Sequence, residues 1–265
     1  MGRGPGSVLM GMKLKLAMVF PGQGSQSVGM MKAYGDLPEI RQTIEEASEI
    51  LAQDIGKLMA EGPVEDLNRT LNTQPVMVTA GVAVFRAWQA LGGAMPAMVA
   101  GHSLGEYTAL VAAGAISFAD SLPLVRLRAQ AMQEAVPEGT GAMAAILGLD
   151  DDAVIAACAE AAQGEIVEAV NFNAPSQVVI AGHKAAVERG AALVKAKGAK
   201  RALPLPVSAP FHSSLMKPAA ERLKLRLAEV AFAAPQIPVV NNIDVAVVSD
   251  AEAIRDALYR QAFEI

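Results

Sequence analysis

The chain has one cysteine and one tryptophan in 265 residues, and aromatic residues make up only 4% of it. The lone thiol, Cys158, has no partner within the chain, so disulfides cannot staple the fold, which fits a reducing cytoplasm. It lies in a helical pattern at 153–162 and reads as a small buried apolar side chain. Histidine is scarce as well: His102, His183 and His212 are the whole supply of imidazole, which narrows the places where proton transfer at neutral pH can be seated. Basic residues do not outnumber acidic ones. The net charge is −5 and the isoelectric point about 5.3, which argues against nucleic acid or an anionic membrane as bulk partner. No uninterrupted apolar run reaches the length of a membrane span. Residues 1–12 lack an apolar core followed by a cleavage site, so no signal peptide is expected and the protein reads as cytoplasmic. Gly4-Pro5-Gly6-Ser7 looks like a linker or cloning scar, with Met12 a plausible biological start.

What is present is apolar. Hydrophobic residues make up 52% and charged residues 18%, the balance of a packed globular chain long enough for a large core or two unequal domains. Residues 14–20 read as a first strand, ended by Pro21-Gly22. The turn Gln23-Gly24-Ser25-Gln26 is not a phosphate loop, because no Lys-Ser/Thr follows it; it can aim backbone N–H groups into a cleft. Helical patterns follow at 38–53, 64–71 and 74–91, the last apolar on most faces, with Trp88 expected in the core. A further helix is expected at about 121–135, carrying Arg126 and Arg128. Asp120-Ser121-Leu122 resembles the attachment serine of carrier proteins, but Asp and Ser before an apolar-periodic run are ordinary helix-start residues.

Between the strand-like 97–100 and a small-residue helical run at 107–113 lies Gly101-His102-Ser103-Leu104-Gly105-Glu106. Strand, sharp turn with a serine at its apex, then helix is the context of a G-x-S-x-G nucleophile elbow. Gly101 and Gly105 leave room for a turn that side chains would block. Ser103 would sit in strained φ/ψ with an exposed hydroxyl, and the Leu104 N–H at the positive end of the helix would favour a developing oxyanion. The alternative is a serine N-cap on an ordinary helix.

Gly139-Thr140-Gly141 marks a boundary. Beyond it the expected order is strand 142–148, helix 150–163, strands 166–172 and 177–181, helix 184–197 and strand 201–207, a β-α-β-β-α-β ferredoxin-like unit. Residues 136–208 read as a small domain inserted into a larger one made of 13–135 and 209–265. Lys184, Lys195, Lys197 and Lys200 are expected on solvated faces; the alternative is contact with an acidic partner. The chain returns with Ser208-Ala209-Pro210-Phe211-His212, then a helix at 215–230, strand-like stretches at 238–243 and 245–248, and a helix at 251–261.

A serine needs a base. His102 adjoins Ser103 and points away from it on a strand end. His183 looks like a surface residue of the small domain. His212, in a proline-containing turn before a helix, is the candidate base; the alternative is a loop histidine of no consequence. No convincing third carboxylate lies between Ser103 and His212, which weakens a hydrolase reading and suggests a dyad whose histidine is oriented by a neutral acceptor.

Phe20-Pro21-Gly22-Gln23-Gly24-Ser25-Gln26, the Gly101-to-Glu106 stretch, Arg128-x-x-x-Met132, Gly139-Thr140-Gly141-Ala142-Met143, Asn171-Phe172-Asn173 with Gln177-Val178-Val179, and Ser208-to-His212 together resemble the malonyl-CoA:acyl-carrier-protein transacylases, in order from about Lys13 to Gln261. The resemblance implies an α/β protein with a hydrolase-like, mainly parallel large domain and the inserted ferredoxin-like one. It implies that Ser103 accepts the acyl group and that His212 is its base. The N–H groups of Gln23 and Leu104 would form the oxyanion hole, Arg128 would pair with the malonyl carboxylate, and a backbone carbonyl at Gln261 would orient the histidine. Leu104 and Phe211 resemble the malonyl-selective pattern. Arg126 and Arg128 lie on different helix faces, so at most one faces the cleft. The implied reaction is ping-pong transfer of a malonyl group from malonyl-CoA to acyl carrier protein for fatty-acid synthesis, by a monomer with no metal or bound cofactor. A serine thioesterase or esterase, and a catalytically silent carrier-protein binding module, are the rivals. The family continues past Gln261 with a strand, a Gly-Pro turn and a helix, whereas this chain stops at Ile265, so either a truncated large domain or a diverged tail is expected.

Overall fold

A computed structural model describes residues 15–207 and 209–264; the extension read at 1–12, Met12 as start, and Ser208 lie outside the described residues. The architecture is mixed α/β. β1 (Ala17–Phe20) leads to α1 (Pro38–Leu51), α2 (Ile55–Glu61), α3 (Val64–Leu67) and α4 (Thr70–Ala90). β2 (Met98–Gly101), α5 (Leu104–Ala112) and α6 (Phe118–Glu134) follow. The middle of the chain runs β3 (Gly141–Leu147), α7 (Asp151–Ala162), β4 (Val167–Ala174), β5 (Gln177–His183), α8 (Lys184–Ala196) and β6 (Arg201–Pro204). α9 (Lys217–Glu229), β7 (Val239–Val240) and α10 (Ala251–Gln261) close it.

Two sheets result. β1, β2 and β7 form a parallel sheet with β2 in the middle, registered from Ala17 beside Met98 to Phe20 beside Gly101. Helices bury it, as parallel strands require: Phe20, Val99 and Val239 share one apolar core with side chains of α4, α5, α6, α9 and α10. The second sheet is antiparallel in the order β4-β5-β3-β6. Val154 and Cys158 of α7 and Val187 and Val194 of α8 pack on one of its faces in a separate core. A third apolar cluster, including Met132 of α6, Met143 of β3, Val179 of β5 and Phe211, lies between the sheets and joins them.

Local chemistry sets the element ends. Ser117 caps α6, accepting from the Asp120 N–H and donating to its carboxylate, so this helix starts three residues before the expected Ser121. Asp150 and Asp250 cap α7 and α10. Three expectations are corrected. Residues 55–61 form a helix that the pattern did not reveal, nucleated by Asp54, whose carboxylate accepts from the Lys57 N–H. Residues 245–248 do not form a strand: only a bridge between Val240 and Val247 forms, because the chain turns back at Asp244, held to Asn241. Trp88 is 37% exposed, at the last turn of α4, where its Nε1–H donates to the Ala94 carbonyl. Among the described residues no helix is long and apolar enough to cross a membrane.

Candidate active site

The carboxyl end of the central parallel strand is where open α/β sheets place their ligands; β2 ends there at Gly101, and Ser103 follows two residues on. A Cβ on Gly101 would lie 1.9 Å from the Gly105 carbonyl carbon, and one on Gly105 would lie 2.1 Å from the Phe20 carbonyl oxygen. Both glycines are therefore demanded by contact between the turn and its neighbours. Ser103 has φ 50° and ψ −105°, a region costly for any residue with a side chain. It occupies the N-cap position of α5, yet its hydroxyl makes no capping hydrogen bond. The Oγ instead lies 2.8 Å from His212 Nε2 and 3.1 Å from an Arg128 terminal nitrogen.

His212, also at positive φ (65°), is held from behind: its Nδ1 is 2.8 Å from the Gln261 main-chain carbonyl. A carbonyl only accepts, so Nδ1 carries the proton and Nε2 is left to accept from Ser103. Burial, with the Arg128 charge adding to it, lowers the imidazole from 6.5 to about 3, so it stands neutral at physiological pH. The orienting acceptor is a neutral carbonyl.

Arg128 is 2% exposed. It donates to Gln74 Oε1 at 2.9 Å, to Ser103 Oγ at 3.1 Å and to Gln261 Oε1 at 3.1 Å, and its guanidinium lies 5.4 Å from the Tyr107 ring centre. Burial lowers its pKa. Its hydrogen-bond acceptors are neutral and its Nε has no partner among the described residues, so the guanidinium can still take an anionic acceptor. Arg126, two residues earlier, faces away and donates to Leu51 O and Gln53 Oε1 at the end of α1.

A cavity of about 210 Å³ opens over these groups, bounded by Gln23, Leu104 and Gln74 on one side and Met143, Asn171 and Val179 of the antiparallel sheet on the other. Leu104 is the first residue of α5, so its N–H has no acceptor within the helix. Gln23 stands where the turn after β1 meets the cavity, its side chain donating to Thr70 Oγ1 at 3.1 Å. Ser103, His212, Arg128, Gln23 and Leu104 thus line one cleft, and Gln261 lies buried behind it, bonded to His212 and Arg128. The other histidines do not join the base position. His102 Nε2 lies 3.0 Å from Asn173 Oδ1, tying the elbow to β4. His183 is half-buried rather than a surface residue, its Nδ1 accepting from the Ile166 N–H between strands. Ser121 is fully buried and donates to Phe118 O, which no attachment site could be.

Sequence reasoning missed three participants: Gln74, Glu106 and Asn242. Glu106 follows Ser103 by one helical turn, so it stacks beneath it. Asn242 follows β7 at its carboxyl end, the same edge as the elbow, and that position was the available signal.

Residues 17–261 match the acyl transferase domain family. The malonyl CoA-acyl carrier protein transacylase of Escherichia coli (strain K12) is 59% identical over 250 residues, covering 94% of this chain and 81% of that one. The crystal structure of an acyl-carrier-protein S-malonyltransferase from Burkholderia pseudomallei 1710b superposes with a TM-score of 0.93 at 68% identity, over 95% of this chain and 82% of that one. A malonyl-transacylase in complex with its type II PKS acyl-carrier protein gives 0.93 at 55% identity, over 94% of this chain and 81% of that one.

Proposed function

Since the chain belongs to the acyl transferase family, and within it to the malonyl-CoA:acyl-carrier-protein transacylases, we propose that it catalyses malonyl transfer to acyl carrier protein for fatty-acid synthesis through a Ser103 ester. The malonyl carboxylate takes up Arg128, a better acceptor than the amides and hydroxyl that Arg128 now contacts because it is ionised. Ser103 Oγ gives its proton to His212 Nε2 as it attacks the thioester carbonyl. The N–H groups of Leu104 and Gln23 receive the oxyanion. Collapse expels the CoA thiolate, which takes the proton from His212. After CoA leaves, the phosphopantetheine thiol of the carrier protein gives its proton to His212 and attacks the ester, and Ser103 Oγ recovers a proton as it departs.

One observation carries the substrate choice: a buried guanidinium 3.1 Å from the nucleophile. An esterase for neutral acyl groups would gain nothing from burying that charge beside its serine. The neutral Gln261 carbonyl behind His212 further supports transfer over the carboxylate-assisted hydrolase pattern. We read the antiparallel unit, about 136–208, as a ferredoxin-like domain inserted in a hydrolase-like one (13–135 and 209–265), acting as a cytoplasmic monomer without metal or bound cofactor. Mass spectrometry after incubation with malonyl-CoA should show one malonyl group on Ser103, removed by holo acyl carrier protein. Release to water without carrier would favour a thioesterase, and carrier binding without acylation a silent binding module.

A further inference from the structure

The acyl-transfer reading uses Ser103, His212 and Arg128 but leaves a carboxylate beneath them unassigned. Glu106 is 2% exposed. Its Oε2 accepts from Gln261 Nε2 at 2.8 Å and from the Asn242 N–H at 3.0 Å, groups 155 and 136 residues away in sequence. Each of those two residues in turn grips the nucleophile's main chain. Asn242 Oδ1 accepts from the Ser103 N–H at 2.6 Å while its Nδ2 donates to Gly101 O at 2.6 Å. Gln261 Nε2 donates to the Ser103 carbonyl at 3.0 Å. Gln261 also meets the other two partners of Ser103, Arg128 through its side-chain oxygen and His212 through its main-chain oxygen. A strained residue persists only when its surroundings over-determine it, and here the N–H and the carbonyl of Ser103 are held by the side chains of two residues that both donate to one carboxylate.

We propose that Glu106 is a positioning residue: by anchoring Asn242 and Gln261 it clamps the strained Ser103 backbone and sets His212 and Arg128 against the nucleophile. This rests on the acyl-transfer reading for its second readout only. Glu106 acts as an acceptor of two hydrogen bonds at one point in space, and its distance matters more than its charge. Burial already raises its carboxyl to about 7, so the site holds the neutral form readily.

Two gentle substitutions separate distance from charge. Glu106→Gln puts a carbonyl oxygen at the same reach without the charge; Glu106→Asp keeps the charge but withdraws the oxygen by one methylene. The first readout is the rate at which an uncharged alkyl fluorophosphonate labels Ser103, which depends on nucleophile and base and not on malonyl recognition. The second is kcat and KM for malonyl-CoA and acetyl-CoA, with thermal melts by circular dichroism on every protein. Glu106→Gln should label within about tenfold of wild type, the range of a weakened hydrogen bond. Glu106→Asp should fall about a hundredfold, as misplaced reacting groups do, in kcat for both acyl groups with KM little changed. Equal or faster labelling of Glu106→Asp, parallel loss in both variants, wild-type behaviour of both, or an unfolded Glu106→Asp would each overturn the proposal. If wild type labels but takes no malonyl group, the malonyl reading fails while the order of the labelling rates still decides the role of Glu106.

Discussion

Replacing Arg128 by methionine removes a cation and keeps an unbranched side chain of similar reach in the same buried space. Arg128 makes three hydrogen bonds to neutral acceptors. Losing them leaves the Gln74 and Gln261 oxygens short of a donor, at about 1–3 kcal/mol each. Removing a guanidinium buried without a direct carboxylate partner returns a desolvation cost of several kcal/mol. The two terms oppose, so the melting temperature should move little. Acyl transfer has no such cancellation. A malonyl carboxylate arriving in this cavity would find no cation, and truncating one partner of a buried charge pair costs about 2–5 kcal/mol, roughly 30- to 5,000-fold in rate. Acetyl transfer should be unchanged or relatively improved. Single-turnover acylation by malonyl-CoA and acetyl-CoA, followed by mass spectrometry, gives the ratio directly. Equal losses on the two substrates would mean that Arg128 serves the fold or the CoA moiety instead. Arg126 is no neutral control for stability: it holds Leu51 O and Gln53 at the end of α1. Arg126→Ala should therefore lower stability by about 1–2 kcal/mol while sparing both acyl substrates.

Further outcomes are expected. Ser103→Ala and Ser103→Gly should both abolish the acyl-enzyme, but the glycine variant should be more stable by about 1 kcal/mol because it relieves a positive φ; equal urea midpoints would remove the strain argument. His212→Ala should cut acylation by about 10²-fold or more, whereas His183→Ala should leave it intact and cost about 1 kcal/mol of stability through the lost Ile166 contact; acylation that depends on His183 would move the site to the wrong sheet. His212, lowered from 6.5 to about 3 chiefly by burial, binds fewer protons folded than unfolded, so wild type should lose stability relative to His212→Gln as pH falls from 6.5 toward 3. Glu106, raised from 4.5 to about 7 chiefly by burial, acts in the opposite sense: wild type should lose stability relative to Glu106→Gln as pH rises from 4.5 through 7. Differences flat across urea titrations in these windows would refute both.

What could be read from the sequence was what local sterics write into it. Gly101 and Gly105 are glycine because backbone atoms occupy the space of their Cβ positions, and such a demand leaves a mark that needs no distant partner. The β-α-β-β-α-β order of residues 141–204 is written in periodicity, and Arg128 separates from Arg126 because two residues span different faces of one helix. The clamp of Glu106, Asn242 and Gln261 was not legible, since its hydrogen bonds join residues more than a hundred positions apart. Trp88 and residues 245–248 misled for a related reason: apolar character states what a segment would bury, not whether a neighbour is present to cover it. The sites where local rules are broken are the more informative ones. Ala52 and Gln163, at positive φ, close helices, and Ser176 turns the β4–β5 hairpin; each is an ordinary terminus. Among the described residues, the other three at positive φ that are not glycine are Ser103, His212 and Val245. Two of them are the hydrogen-bonded pair proposed as nucleophile and base, and the third lies in the turn just after Asn242. Backbone strain among the described residues is therefore either a chain reversal or part of the site, and the second class persists because Glu106 and its partners hold it in place.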